Sequence, residues 1–116
     1  MPVLLLALAA TTADPNTALY EARAELRECL AYHMLQWPLS DHKTEDAMIV
    51  GLVSESRCRN QSTIFKSAAE KTALGLPKTS EAQRADIVMT DWRETLSWAE
   101  GIIYARRRMG AVKVGE

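Results

Sequence analysis

A chain of 116 residues is long enough to form one domain with its own hydrophobic core, without a metal or several disulfides to hold it together. Apolar residues make up 47% and charged residues 25%, which is typical of folded globular proteins and excludes an intrinsically disordered chain. The 14 Lys and Arg nearly balance the 15 Asp and Glu, so the net charge of −1 gives no general reason to expect nucleic acid or an anionic membrane as partner.

Residues 1–13 are first apolar and then small. Val3 to Ala10 form an apolar run, and Thr11 and Ala13 stand at the −3 and −1 positions before Asp14. This pattern predicts a secretory signal peptide, although no Lys or Arg precedes the apolar run. The alternative is an apolar N-terminal arm packed on the rest of the chain. The run is too short to cross a bilayer, so we expect no permanent membrane span.

A first helix is predicted from Pro15 to about Gln36. Asp14 suits the N-cap position, and the ring of Pro15 already holds the backbone angle that the first helical turn needs. Pro38 disfavours the helical conformation at the residue before it, so we expect the helix to end there. Mostly apolar residues recur along it at intervals of three and four, which indicates one buried stripe. This stripe consists of Leu19, Ala22, Leu26, Cys29, Leu30, His33 and Trp37.

A second helical region is predicted to begin at Thr44. Its first half is apolar around much of its circumference, so we expect it to be deeply buried. These residues are Ala47, Met48, Ile49, Val50, Leu52 and Val53. The pattern weakens over residues 54–62, where either one long helix continues with Cys58 facing inward or the helix bends. The stripe resumes with Ile64, Phe65, Ala68, Ala69 and Ala73, and Gly75 suits a left-handed C-cap.

The last helix is predicted to begin at Ser80, because Ser80 and Gln83 have the spacing of a capping box. Its core stripe consists of Ala85, Val88, Trp92, Leu96, Ala99 and Ile103. We expect this helix to end at Gly110 and residues 111–116 to form a flexible tail. No run alternates with a period of two, so the sequence predicts an all-α fold. The expected architecture is a small antiparallel bundle of three to four helices over residues 14–110.

The two cysteines, Cys29 and Cys58, fall on the first and second helical regions. A disulfide between them is our leading interpretation, and it requires the two Cα atoms to approach within about 4.4–6.8 Å. Two buried free thiols are the first alternative. The second is a metal site in which His33 and His42 complete a Cys2His2 set, but the spacing matches no zinc motif. We therefore predict no metal.

No segment of the sequence carries a catalytic pattern. A nucleophile needs a base beside it and a group that orients the base, and no serine lies in a Gly-x-Ser-x-Gly motif. The chain also lacks a glycine-rich phosphate loop. We expect the carboxylates to lie on helix faces that point to solvent. The sequence therefore predicts a protein without enzymatic activity or a cofactor.

The C-terminal half of the last helix is the candidate protein-binding surface. Trp98 and Tyr104 fall beside the centre of the core stripe, close in sequence to Arg106, Arg107 and Arg108. Aromatic and arginine side chains are enriched at protein interfaces, which favours a docking face or a homodimer contact. The alternative is that both aromatic residues widen the buried stripe.

These observations favour an exported protein, periplasmic or secreted, that acts without catalysis by binding another protein or by a structural role. The alternative is a cytosolic helical regulator or phage-type accessory protein that contacts nucleic acid through Arg106, Arg107 and Arg108. The balanced overall charge argues against nucleic acid as partner. An enzyme or metal carrier that uses Cys29, His33 and Cys58 is the third hypothesis, and no motif supports it.

Overall fold

The computed structural model describes residues 14–114, with side chains up to residue 110. These residues form helix α1 (Pro15–Gln36), a 3-10 turn (Lys43–Glu45), and helices α2 (Asp46–Ser56), α3 (Arg59–Leu74) and α4 (Glu81–Val114). No strand occurs among them. The predicted all-α bundle is therefore confirmed, while the predicted leader at residues 1–13 lies outside the described range.

Helix α1 has the two ends that its sequence predicts. The Asp14 carboxylate accepts a hydrogen bond from the backbone amide of Thr17 at 2.9 Å, and Pro15 occupies the first turn. Trp37 has an extended backbone (ψ 132°) because the ring of Pro38 disfavours the helical conformation at the residue before it. The helix therefore ends at Gln36.

Helices α1 and α4 run parallel, side by side. Arg23 pairs with Asp91 near the start of both helices, and Arg106 donates to the carbonyl of Met34 near the end of α1. Because contact positions rise together along the two helices, their directions agree. The chain between them must therefore return in the opposite direction.

Helices α2 and α3 supply that return. The Thr72 hydroxyl lies 3.1 Å from the carbonyl oxygen of Pro15, so the end of α3 meets the start of α1. Asp46 at the start of α2 pairs with Arg107 near the end of α4. Both pairings are antiparallel, and the arrangement is an up-down-up bundle whose middle helix is divided in two.

The sequence left open whether residues 54–62 continue one long helix or bend. The structure shows a break between α2 and α3 here, so the second alternative is correct. Helix α2 ends at Ser56, and Cys58 becomes the N-cap of α3. The hydroxyl of Ser54 bonds to the carbonyl oxygen of Gly51, and serine side chains that bond to a preceding turn favour bending of a helix. The Ser62 hydroxyl donates to the carbonyl of Ser54 at 2.8 Å, which satisfies a buried carbonyl across the break.

The core is formed by one face of each helix. Its buried apolar residues are Ala22, Leu26, Leu30, Met34, Val50, Val53, Cys58, Phe65, Ala69, Ala73, Trp92, Ala99 and Ile103. The prediction that the first half of α2 is deeply buried is wrong for Met48 and Leu52, which remain 68% and 57% exposed. A helix at the edge of a bundle buries one face, and α2 uses the face of Val50 and Val53. Ile64 is also exposed.

The connection between α3 and α4 differs from its prediction in one respect. Gly75 ends α3 in a right-handed conformation (φ −77°), and Lys78 takes the left-handed position instead (φ 59°). The capping box of α4 is confirmed, since the Gln83 side chain accepts from the Ser80 amide at 2.7 Å and the Ser80 hydroxyl accepts from the Gln83 amide at 3.1 Å.

Helix α4 runs through Gly110 and is helical as far as Val114, the last residue that the structure describes, so the predicted end at Gly110 is wrong. Glycine stops a helix when it adopts a left-handed conformation, and no glycine among the described residues has a positive φ. No helix within residues 14–114 has both the length and the apolar character that crossing a bilayer requires.

Candidate functional site

The first candidate site is the cysteine pair. Cys29 and Cys58 are disulfide-bonded, with their Cα atoms 5.9 Å apart. The bond joins the middle of α1 to the N-cap of α3, directly at the break in the middle helix. The sulfur of Cys58 lies in the core, whereas Cys29 is half-buried. The break allows the two cysteines to meet although they lie at different distances from the turn between their helices.

His33 lies beside this disulfide. It stands one helical turn after Cys29 on the same face of α1, and a ring nitrogen of His33 and both sulfurs lie within 4.8 Å of one another. The side chain of His33 is half-buried, and its ring packs edge-on against Tyr32. The structure thus gathers three of the four residues that the sequence offers as metal ligands. His42 is exposed and does not belong to this group.

The second candidate site is a groove of about 630 Å³ between the last turns of α4 and the segment that joins α1 to α2. We call it the C-terminal groove. It contains four of the five residues that the sequence predicts for protein binding, namely Tyr104, Arg106, Arg107 and Arg108. Leu39 and Lys43 line its opposite side.

Arg106 does not point freely into solvent. Its guanidinium donates to the carbonyl oxygens of Met34 and Trp37, at 2.5 and 2.9 Å. The last carbonyls of a helix have no partner within the helix, and Arg106 supplies one to the end of α1. This arginine therefore caps α1 and fixes it against α4.

Arg107 is also held by its own chain. Its guanidinium makes a bidentate pair with the Asp46 carboxylate at 2.7 and 2.8 Å and donates to the carbonyl of Ser40 at 2.8 Å. Only 14% of the Arg107 side chain and 10% of the Asp46 side chain are exposed. The expectation that the carboxylates point to solvent is therefore wrong for Asp46.

The pairing changes the acid–base properties of both groups. The hydrogen bonds from Arg107 lower the pKa of the Asp46 carboxyl below its ordinary value of 3.8, although burial acts in the opposite direction. The same hydrogen bonds raise the pKa of Arg107. Asp46 and Arg107 are both charged at neutral pH and form an ion pair that locks α2 onto α4.

Tyr104 and Arg108 remain accessible in the groove. The Tyr104 side chain is 63% exposed, and the Arg108 guanidinium lies 6.0 Å from the centre of its ring. A cation above an aromatic face is a weak attraction at an exposed position and leaves both groups able to bind elsewhere. Of the predicted binding residues in the groove, these two are the ones that a partner can reach without breaking the bundle.

Trp98 belongs to a different surface. It is 39% exposed, does not line the C-terminal groove, and has the Arg27 guanidinium of α1 5.1 Å from its ring centre. Neither sequence interpretation describes it fully, because its ring is only partly buried and is covered by a charged side chain from α1. The five predicted residues therefore do not form one continuous surface.

Fold and sites together define the class of protein as a small all-α bundle with an up-down-up order, one disulfide and an arginine-lined groove at one end. Comparison with protein-family models, with curated proteins and with solved structures finds no match.

Proposed function

We propose that this chain is an exported protein, periplasmic or secreted, that acts without catalysis by binding a segment of another protein in the C-terminal groove. The observation that supports binding is the exposed pair Tyr104 and Arg108 in a concave surface whose other arginines are already engaged. Export and binding are separate parts of this proposal, and each has its own experiment.

Export is supported by the cysteines and by the N-terminal sequence. Disulfides persist in oxidising compartments and are rare in the cytosol. Cys29 and Cys58 are the only cysteines of the chain, and both are used in one bond. The apolar run of residues 3–10, followed by small residues, agrees with export through a cleaved leader.

The chemistry of the groove favours a partner segment that carries an acidic side chain next to an apolar one. The charges of Arg107 and Asp46 cancel each other. The other charged residues that line the groove are three cations and two carboxylates, so positive charge is in excess; they are Lys43, Arg106, Arg108, Asp41 and Glu100. Arg108 offers a planar guanidinium for a carboxylate, and the ring of Tyr104 offers apolar area beside it. Tyrosine and arginine are both enriched among the few residues that carry most of the binding energy at protein interfaces.

The export part predicts a processed and oxidised product. When the chain with its own N-terminal segment is expressed in a Gram-negative bacterium, intact mass of the periplasmic fraction should match residues 14–116 less two hydrogens. Ala13→Trp should block this processing, because a large side chain does not fit the position before the cleavage site. A full-length cytosolic product with two alkylatable thiols would contradict export.

The binding part predicts a contact at Tyr104. We expect a photoreactive benzoylphenylalanine placed at Tyr104 to form one cross-linked product in the cell that makes the chain, and Arg108→Glu to abolish it. Tyr32 is the matched control, because it is a tyrosine of similar exposure (60%) on α1 and does not line the groove.

Equal cross-linking at Tyr32 and Tyr104, or none at Tyr104, would refute binding in the groove. A product of twice the mass of the chain would show that a second copy of the chain occupies the groove. The proposal that an acidic segment of another protein binds there would then be wrong.

A further inference from the structure

We propose that reduction of the Cys29–Cys58 bond converts the same place into a Zn²⁺ site, with Cys29, His33 and Cys58 as ligands and a fourth position open to solvent. The observation behind it is the convergence of three potential ligand atoms from α1 and α3 within 4.8 Å of one another. This inference does not depend on export or on the binding partner.

The geometry requires only small side-chain movements. Around tetrahedral zinc, with Zn–S near 2.3 Å and Zn–N near 2.0–2.1 Å, two sulfurs stand about 3.8 Å apart and a sulfur and a nitrogen about 3.5 Å apart. The two freed sulfurs must separate, and neither sulfur–nitrogen distance has to shorten by more than about 1.3 Å from its upper limit of 4.8 Å. Cys29 and His33 are four residues apart on one helix, so a rigid backbone already presents them together.

Two features around Cys58 favour the thiolate form that a metal needs, and they oppose the burial of its sulfur, which favours the neutral thiol. Cys58 is the N-cap of α3, where unpaired backbone amides and the positive end of the helix dipole stabilise negative charge. Arg57 and Arg59 flank it in the sequence and act in the same direction. Two thiolates and one neutral imidazole neutralise the charge of Zn²⁺, and this donor set selects zinc over Mg²⁺ or Ca²⁺.

A dithiol or a phosphine can reduce the Cys29–Cys58 bond. A dithiol gives two electrons and two protons to the bond and becomes a disulfide itself. A phosphine gives two electrons and takes the oxygen of one water to become a phosphine oxide, and the two protons of that water go to the sulfurs. Zn²⁺ then binds the two sulfurs as their protons leave to solvent. Cys29 and His33 are half-buried rather than fully buried, so the ion enters from the side of α1.

The test uses the full chain, reduced with a phosphine, desalted without oxygen and titrated with Zn²⁺ in a calorimeter. We expect one equivalent to bind to the reduced chain and none to the oxidised chain. Co²⁺ should give the intense visible and near-ultraviolet bands of tetrahedral thiolate coordination. Zn²⁺ should also raise the Tm of the reduced chain, because the ion binds the folded state.

His33→Gln separates this site from adventitious binding by two thiols. We expect it to weaken Zn²⁺ binding at least about tenfold, since even an outer partner of a metal ligand contributes about 10–100-fold. His42→Gln is the matched control and should bind as the unaltered chain does. Equal affinity for His33→Gln, or Zn²⁺ that leaves the Tm and the helical circular dichroism of the reduced chain unchanged, would overturn the proposal.

Discussion

Reduction of the Cys29–Cys58 bond is expected to lower the free energy of unfolding by about 3.5 kcal/mol. The cross-link spans 29 residues, and the chain-entropy model gives about this value for a loop of that length. For a chain of this size such a loss lowers the Tm by about 15 °C. Urea denaturation with and without a phosphine reductant, in the presence of a metal chelator, measures the difference directly.

Reduction is a better comparison than substitution alone, because both sulfurs stay in place and Cys58 belongs to the core. The double variant Cys29→Ala, Cys58→Ala serves as the control. It should be less stable than the oxidised chain and should not respond to the reductant. If the unaltered chain unfolds at the same urea concentration in both redox states, the bond does not stabilise the fold.

The position of the bond explains where the loss should act. The disulfide holds the N-cap residue of α3 against α1, at the break between α2 and α3. Amide hydrogen exchange should therefore increase around the break between α2 and α3 by local opening, and in the protected core of the bundle by as much as global stability falls.

Helix α1 was predictable from sequence because each of its signals is local. An N-cap, a first-turn proline and a terminating proline act within a few residues of themselves, whatever the rest of the chain does. The capping box of α4 is predictable for the same reason. Disulfide pairing of the two cysteines follows from these placements only after the middle helix is allowed to bend.

The errors arise where a residue type permits two outcomes. Gly75 and Gly110 tolerate both left-handed and right-handed conformations, so the spacing that suggests a C-cap does not decide whether one forms. Met48 and Leu52 are apolar, but a helix at the edge of a bundle has no neighbour to cover its outer face. Both errors require tertiary information to correct.

From the sequence, the C-terminal groove could be predicted only as a cluster of aromatic and arginine residues that are close together in the chain. Aromatic and arginine residues within eleven positions of one helix indicate an interface, and four of the five do line one groove. The partner of Arg107 lies 61 residues away at the start of α2, where an acid is expected for the helix dipole alone. No local pattern connects these two residues, and this missing link hides the structural role of Arg107.

Arg107→Ala is expected to lower the Tm by about 10 °C at neutral pH, because it leaves the Asp46 carboxylate buried without its cation and Ser40 without its donor. Arg108→Ala is the matched control, since the neighbouring arginine is exposed, and its Tm should change by no more than about 2 °C. Arg107→Lys should fall between them, because it keeps the charge and loses the bidentate geometry. Thermal unfolding followed by circular dichroism gives all three values.

The pH dependence identifies the ion pair as the cause. Arg107 lowers the pKa of Asp46, so the pair contributes its full stability above the ordinary pKa of 3.8 and loses it as the pH falls through the lowered value. The Tm difference between the unaltered chain and Arg107→Ala should therefore be constant near neutrality and shrink below about pH 4. A difference that persists at pH 2 would assign the loss to packing rather than to charge.

The structural role of Arg107 also affects which variant can reveal nucleic-acid binding by the basic end of α4. Since Arg106 and Arg107 hold α1 and α2 in place, a loss of DNA binding in Arg107→Ala would reflect unfolding as much as a lost phosphate contact. Arg108→Ala removes a free cation without disturbing the bundle, so an electrostatic contact must show itself there as weaker, less salt-dependent binding to random duplex DNA. If Arg107→Ala keeps its Tm but loses DNA affinity, while Arg108→Ala keeps both, the ion pair with Asp46 is not structural and Arg107 itself contacts nucleic acid.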